Sequence, residues 1–96
     1  MKEPHEYSLQ DLLKIIYRSE HMTDAIAEHQ AIDAYNQVVG DLISKLTGKM
    51  VMRNGVLHVH LSSAALRQEM TMRRESLLEK INAQIDGFAV KDIVFY

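Results

Sequence analysis

The sequence contains no cysteine, no tryptophan, one proline and four glycines. Without cysteine it has no disulfide framework, no thiolate metal site and no cysteine nucleophile. The shortage of proline and glycine excludes collagen-like repeats and low-complexity linkers, and the short apolar runs predict neither a secretory signal nor a membrane span. At 96 residues with 47% hydrophobic side chains, we expect residues 1–7 to be a tail and residues 8–96 to be a single cytoplasmic domain.

Charge is distributed unevenly along the chain, although the formal net charge is only −2. Residues 1–44 carry three basic and eight acidic side chains, whereas residues 45–80 carry seven basic and three acidic ones. The overall balance does not favour a strongly basic nucleic-acid binder. The asymmetry predicts an acidic half and a basic half that meet different partners.

Helical periodicity accounts for the first half of the chain. Ser8 is placed to cap a first helix that ends near residues 19–21, and a second helix begins near Thr23. We expect the second as one long helix or as two short collinear ones. Its apolar positions predict a stripe that faces the core, made of Ile26, Ile32, Tyr35, Val39, Ile43 and Leu46. Gly40 is expected to allow close approach of another element, and Gly48 to end the helix.

The dipeptide Asn54-Gly55 lies between two alternating apolar segments and strongly predicts a β-hairpin. A two-residue turn pairs Arg53 with Val56 and continues the register back to Lys49 opposite His60. Alternation then places an apolar set on the core face, namely Met50, Met52, Leu57, Val59 and Leu61. The opposite face is largely cationic and carries Lys49, Val51, Arg53, Val56, His58 and His60.

A third helix and a last strand complete the predicted order. Ser62 or Ser63 caps the helix, which ends at Asp86-Gly87, and Val90–Tyr96 has the β-branched and aromatic composition of a strand. The apolar stripe of this helix consists of Leu66, Met70, Leu77, Leu78, Ile81 and Ile85. Because strand-helix-strand crossovers are right-handed, the last strand should run parallel to residues 56–61. The predicted class is α+β, in the order helix, helix, strand, strand, helix, strand, with the helices on one face of a three-stranded sheet.

The sequence offers no visible catalytic or cofactor machinery. It has no glycine-rich phosphate loop, no serine in a glycine-flanked elbow and no constrained carboxylate pair. His58 and His60 have a spacing that a metal could use, but two ligands do not hold Zn²⁺, so paired solvent-facing histidines are the better interpretation. We therefore predict no enzyme activity, no cofactor, no metal and no small-molecule substrate.

The feature that points to a function is a set of cationic and imidazole side chains on the hairpin and the third helix. The candidate nucleic-acid-binding residues are Lys49, Arg53, His58, His60, Arg67, Arg73 and Arg74. Such a surface could bind phosphates, and the histidines would add stacking, or charge below neutral pH. The alternative is that these side chains only keep a sheet face soluble.

Four separated motifs and the closing strand together resemble the bacterial DciA-type family, long catalogued as a domain of unknown function. They are Tyr35-Asn-Gln-Val-Val-Gly40, Asn54-Gly55-Val-Leu-His-Val-His-Leu-Ser-Ser63, Leu66-Arg67-x-Glu69, Ile81-Asn82 and Val90-Lys-Asp-Ile-Val-Phe95. The likeness covers roughly residues 9–96, and the closing segment is similar to that of the family's short single-domain members. The motif residues interpreted as structural are Tyr35, Val39, Gly40, Asn54 and Gly55.

The resemblance implies both a fold and a role. DciA-type proteins have a fold related to the K-homology domain, interact with the replicative DNA helicase, help to load or operate it on DNA, and bind DNA without being enzymes. The expected partners are therefore this helicase and single-stranded or forked DNA. A K-homology domain normally clamps nucleic acid with a Gly-x-x-Gly loop, which this sequence lacks, so contact is expected from the hairpin face and the third helix instead.

A second hypothesis is a protein-interaction or assembly module that does not bind nucleic acid. An unpaired strand edge is a template for the addition of another strand, and Val90–Tyr96 or a hairpin strand could provide one. Phe95 and Tyr96 could then dock on a partner or dimerise.

Overall fold

The computed structural model describes residues 23–96, and within this range it has three helices packed on a three-stranded mixed sheet. The elements are α1 (Thr23–Lys45), β1 (Thr47–Arg53), β2 (Val56–Leu61), α2 (Ala64–Met72), α3 (Arg74–Ala83) and β3 (Asp92–Phe95).

The α+β class is confirmed, whereas the likeness to a K-homology domain stays a prediction. The expected tail and the expected first helix from Ser8 lie outside the described residues. None of the helices in the described range is long and apolar enough to cross a membrane.

The turn between β1 and β2 has the predicted form. Asn54 and Gly55 have positive φ angles of 53° and 81°, and two such residues in succession give the type I′ turn that suits the twist of a hairpin. The pairs next to the turn are those expected, namely Arg53 with Val56, Met52 with Leu57, Val51 with His58 and Met50 with Val59. The turn therefore fixes which side chains share each face.

Further from the turn, β1 is irregular. Thr47 pairs with Leu61, so the register has shifted by one residue, and Gly48 and Lys49 both lie opposite His60 in a β-bulge. The regular pair expected between Lys49 and His60 is therefore absent. The expectation that Gly48 ends a helix is wrong, because α1 ends before it and Gly48 lies within β1. A side-chain carbon on Gly48 would lie 3.7 Å from the carbonyl oxygen of His60.

The last strand runs parallel to β2, as the crossover rule predicts, and the strand order is β1-β2-β3. Asn82 of α3 fixes the chain just before β3. Its side-chain Nδ2 donates to the carbonyl of Val90 at 2.9 Å, and its Oδ1 accepts from the Val90 amide at 2.8 Å. Val90 is only 2% exposed, so the amide side chain satisfies two backbone groups that water does not reach.

The third helix expected from the sequence is divided in two. Ser63 caps α2, accepting from the amide of Leu66 at 3.2 Å, but the helix is interrupted at Arg73, whose φ and ψ are −97° and 10°. Just before the break, the hydroxyl of Thr71 donates to the carbonyl of Arg67 at 2.8 Å. Such back-bonding bends helices, which explains a break that neither glycine nor proline marks.

The core lies between the helices and one face of the sheet. Its fully buried centre is formed by Tyr35, Leu57, Val59, Ile81 and Ile93. The core face expected for the hairpin is confirmed, since its three β2 members are buried and its two methionines pack against them half-buried. The apolar stripe expected along α2 and α3 is confirmed in the same way, by Met70, Leu77, Ile81 and Ile85, with Leu66 and Leu78 half-buried.

The buried face of α1 differs from the expected one. The helix buries an alanine stripe and one aromatic residue, namely Ala27, Ala31, Ala34 and Tyr35. Ile26 and Leu46, both expected in the core, are 47% and 38% exposed, and the other expected members apart from Tyr35 are half-buried. Because an alanine side chain ends at Cβ, this face lets the helix approach β1 and α3 closely. The closest face of α1 is therefore the alanine stripe with Tyr35, and the larger apolar residues Ile32, Val39 and Ile43 pack at its margin.

Gly40 interrupts α1, with φ and ψ of 84° and 175°, a conformation essentially restricted to glycine. The expectation of a close approach at Gly40 is wrong, because no atom lies within 4 Å of where its Cβ would be. The two sides of the interruption are connected by the hydroxyl of Ser44, which donates to Oδ1 of Asn36 at 3.0 Å. The helix is thus neither continuous nor collinear, and glycine is needed for its backbone conformation.

Tyr35 connects α1 to the start of β1. Its hydroxyl lies 2.9 Å from Oγ1 of Thr47, and Thr47 donates its own proton to the carbonyl of Ile43 at 2.7 Å. Because the threonine proton is used there, Tyr35 is the donor between the two hydroxyls. Burial raises the pKa of Tyr35 above its usual value of 10.0.

Tyr35→Phe should lower the free energy of unfolding by about 1 kcal/mol at neutral pH, the usual net value of one hydrogen bond. The folded protein holds the Tyr35 proton to higher pH than the unfolded chain does, because its pKa is raised. This contribution is complete below about pH 10 and is lost as the pH rises through the folded-state pKa. Urea unfolding between neutral pH and about pH 11 should therefore show a steeper alkaline decline in the parent protein than in Tyr35→Phe. Tyr96→Phe is the control, and equal slopes for Tyr35→Phe and the parent would contradict the assignment.

Glu28 covers the outer edge of β1. Its Oε2 accepts from the backbone amide of Met52 at 2.9 Å, and this amide points away from β2. An edge amide left free would be available to the backbone of another chain. The carboxylate from α1 therefore closes this position on the edge.

Candidate nucleic-acid interface

The face of the sheet opposite the core, here called the outer face, is made of alternate residues from all three strands. Its members are Val51, Arg53, Val56, His58, His60, Asp92, Val94 and Tyr96. None of them belongs to the hydrophobic core that residues 23–96 form. The expected separation of an apolar from a polar hairpin face is therefore present, and the parallel strand β3 extends both faces.

Three rings lie together on the outer face. Tyr96 stacks on His60 with ring centroids 4.8 Å apart and an interplanar angle of 18°, and its ring lies 5.7 Å from that of His58 at 26°. The hydroxyl of Tyr96 is 2.7 Å from Nδ1 of His58. Tyr96 is fixed beside them by the main chain, since its amide donates to Val59 and its carbonyl accepts from Leu61. We call His58, His60 and Tyr96 the ring cluster.

Tyr96 is a site residue that the sequence analysis did not include in the candidate set, although a signal was available. β3 pairs in parallel with β2, so Val94 lies beside His58. Continuing that register by two residues puts Tyr96 beside His60 on the same face. The predicted parallel register of the last strand, continued to residue 96, therefore indicates the position of Tyr96.

The hairpin cations of the candidate set are brought together. Arg53 is exposed on the outer face at the turn end of the sheet, and His58 and His60 follow along β2. Lys49 is exposed at the bulge opposite His60, so a primary amine lies at the ring-cluster end as well. All four hairpin members therefore line one face or its margin.

Lys91 is a cation at the turn end of the sheet that the sequence pattern does not reveal. The aliphatic part of its side chain lies over the turn, so that a Cβ on Gly55 would come within 2.8 Å of the Lys91 Cδ. Its backbone amide donates to the Gly55 carbonyl at 2.8 Å. Lys91 and Arg53 thus both lie at the turn end of the sheet. No short-range pattern marks Lys91, because only the parallel pairing of β3 brings it there.

The arginines of the third predicted helix are distributed differently. Arg73 lies at the break between α2 and α3 and forms an exposed ion pair with Glu69 at 2.8 Å. Arg74 reaches Asp92 of the outer face, with 3.5 Å between Nε and Oδ1. Arg67 is exposed on α2, and no contact among the described residues connects Arg67 or Arg73 with the outer face. The structure therefore brings Arg74 to the margin of this face, while Arg67 on α2 and Arg73 at the break have no described contact with it.

In the sheet formed by residues 23–96, β3 is an edge strand, and the second hypothesis expected a partner strand there. Asp92 accepts from the adjacent Ile93 amide at 2.8 Å and also pairs with Arg74, so two side chains occupy the start of this edge. The expectation that Phe95 could dock on a partner is wrong, because it is 8% exposed and belongs to the core. Tyr96 is exposed but is already stacked on His60.

In chemical terms, the outer face combines flat aromatic surface with exposed cations. Rings of this kind stack on planar groups, and lysine and arginine bind anionic oxygens. The two histidines use their rings within the cluster, and no group of three or more histidine, aspartate or glutamate residues within residues 23–96 is arranged to hold a metal ion. The buried tyrosine Tyr35 lies on the other side of the sheet and takes no part in this surface.

Comparison with protein families identifies the family of this chain. The model of the protein family described as Dna[CI] antecedent, DciA, matches residues 8–95, which is nearly the whole chain and includes every element described above. No curated protein matches the chain significantly.

Proposed function

Because the chain belongs to the DciA family, we propose that it is a non-catalytic accessory protein of DNA replication that binds the replicative DNA helicase and DNA in the cytoplasm. The family is linked, in general terms, to the loading of the helicase in replication. Contact of this chain with either partner is our proposal. The observation that carries the DNA half is the ring cluster, which lies among exposed cations on a sheet face away from the core.

For DNA, we assign the phosphate contacts to the hairpin cations. Arg53 and Lys49 are exposed at opposite ends of the outer face, and Lys91 lies beside the turn. Phosphate contacts supply most of the affinity of a sequence-tolerant binder and position the strand on the protein. Arg74 contributes at the margin, where Asp92 already neutralises part of its charge. Arg67 and Arg73 are less well placed, because no described contact brings them to this face.

For the helicase, we assign the acidic side of α1. Asp33 and Asp41 are exposed on this helix, and Leu42, which directly follows Asp41, is 74% exposed. An exposed leucine beside carboxylates is a common composition for a contact with a basic protein surface. This assignment leaves the outer face free for DNA, in agreement with the division of charge along the sequence.

A pull-down from a cell lysate tests the assignment to the helicase. The immobilised protein should retain the replicative helicase, and the triple change Asp33→Asn, Asp41→Asn and Leu42→Ala should abolish this retention.

The DNA half is tested by fluorescence anisotropy with labelled single-stranded and forked DNA at about 50 and 200 mM salt, where phosphate contacts weaken measurably. The double variant Lys49→Gln, Arg53→Gln should bind roughly 10- to 30-fold more weakly near 0.1 M salt. Each lost phosphate contact should also reduce the slope of log K against log salt by about 0.7, the value for single strands.

The matched control is the double variant Lys45→Gln, Lys80→Gln, which removes the same charge from α1 and α3. It should keep nearly the parent affinity, because neither residue lies on the outer face. If both double variants lose affinity equally, binding depends on net charge alone and the assigned face is wrong. If no DNA binds even at the lower salt concentration, the DNA half of the proposal fails.

Strand addition along β3 is the competing function. The buried Phe95 and the side chains of Asp92 and Arg74 at this edge argue against it. Sedimentation distinguishes the two, since a dimer that is insensitive to salt and indifferent to DNA would favour the assembly module.

A further inference from the structure

We propose that Tyr96 and His60 form a stacking site for an unpaired nucleobase, and that Lys49 holds the phosphate next to that base. The inference rests on the proposed DNA contact and names the part of the ligand that the ring cluster takes. It assigns to the outer face a site for a base in addition to the phosphate contacts, and it predicts preference for strands whose bases are not paired.

The first argument is the geometry of the rings. His60 covers one face of the Tyr96 ring at a centroid distance of 4.8 Å, and His58 holds the hydroxyl at 2.7 Å. Tyr96 is nevertheless 43% exposed, so the residue is accessible from solvent although its ring is held by both histidines. An aromatic ring that is already held in place loses little conformational entropy when a second planar group stacks on it.

The second argument is the position of Lys49. The register that runs from the turn to Met50 and Val59 puts Lys49 opposite His60, and the bulge places Gly48 opposite the same residue. Lys49 is therefore exposed on β1 beside His60. Tyr96 lies on the other side of β2, next to β3. A cation next to an aromatic platform is the combination that binds a nucleotide by its phosphate and its base together.

The third argument is the accessibility of the site to single strands. Side chains on an open sheet can stack on bases that are splayed out, whereas bases inside a duplex present only their edges. Arg53 pairs with Val56, and His60 lies four residues further along β2, about 13 Å away at roughly 3.3 Å per residue. The outer face can therefore hold several linked groups of one extended strand.

The experiment compares the binding of two labelled probes by anisotropy. One is a short oligothymidylate, and the other is an oligonucleotide of equal length and charge whose sugars carry no bases. The parent protein should bind the base-bearing probe about 5- to 30-fold more tightly, which corresponds to about 1–2 kcal/mol for one stacked base. Tyr96→Ala should remove most of this difference, Tyr96→Phe should keep it, and neither change should alter the salt slope.

Tyr96→Leu serves as a second variant, because it keeps apolar bulk without an aromatic ring, and it should lose the preference as Tyr96→Ala does. Far-UV circular dichroism and thermal unfolding check that each variant is folded. If the parent binds both probes equally, or if Tyr96→Leu keeps the preference, the stacking site is wrong while the proposed DNA contact stands. If neither probe binds at low salt, the proposed DNA contact fails and the stacking site fails with it.

Discussion

Asn82→Ala should lower the free energy of unfolding by about 2–4 kcal/mol, because it leaves two buried backbone groups without partners. Both the amide and the carbonyl of Val90 are bonded to the Asn82 side chain, and Val90 is 2% exposed. A domain of this size has a total stability on the order of 5–14 kcal/mol. The variant should therefore unfold at a markedly lower urea concentration, with Tm reduced by roughly 10–25 °C.

Two further variants separate the contributions to this effect. Asn82→Asp keeps an acceptor for the Val90 amide but faces the Val90 carbonyl with a second oxygen, so it should destabilise at least as much as alanine. Gln84→Ala, an exposed amide two residues later, should change stability by less than about 0.5 kcal/mol. A loss for Asn82→Ala no larger than that of the Gln84 control would mean that water can replace the side chain. Hydrogen exchange at the Val90 amide provides an independent readout.

Gly40→Ala is the second large effect, with an expected loss of about 1–3 kcal/mol. Since no atom lies within 4 Å of the missing Cβ, the loss arises from the backbone conformation and not from a clash. Gly40→Leu should therefore lose about as much as Gly40→Ala. A helix that straightened to relieve the strain would break the bond between Ser44 and Asn36 and would displace Thr47 from Tyr35.

Chemical denaturation of these variants, monitored by far-UV circular dichroism, measures the loss. Gln37→Ala is the matched control, because it places alanine at an exposed position of the same helix, where a change within about 0.5 kcal/mol is expected. A Gly40→Ala protein as stable as the parent would show that α1 tolerates a continuous helix. A much larger loss for leucine than for alanine would show instead that the position is crowded.

The parts of the fold that could be predicted are those fixed by local rules. The Asn54-Gly55 turn admits essentially one register, so the faces of the hairpin followed from it directly. The parallel direction of β3 followed from the handedness of the crossover. The core stripe of α2 and α3 followed from helical spacing and survived the break at Arg73, because both helices keep the same side toward the sheet.

The parts that could not be predicted depend on packing between distant segments. Isoleucine is more hydrophobic than alanine, so the pattern of α1 favoured Ile26, yet the helix buries the alanine stripe. The pattern predicts a helix end at Gly48, although a glycine inside a strand is also a sign of a bulge. The bulge adds Gly48 opposite His60 and leaves Lys49 opposite the same residue, as the register from the turn predicts. Lys91 and Tyr96 came to the surface only through the pairing of β3 with β2.

The Glu28 carboxylate that closes the β1 edge has a consequence for self-association. Amyloid-like and filamentous growth requires two complementary strand borders on each molecule, so that every added copy offers a new border to the next. Here Glu28 already holds the Met52 amide on the β1 border, and β3 forms the other border of the described sheet. A copy that added its strand to β1 would first have to displace this carboxylate, which disfavours continued growth through both borders.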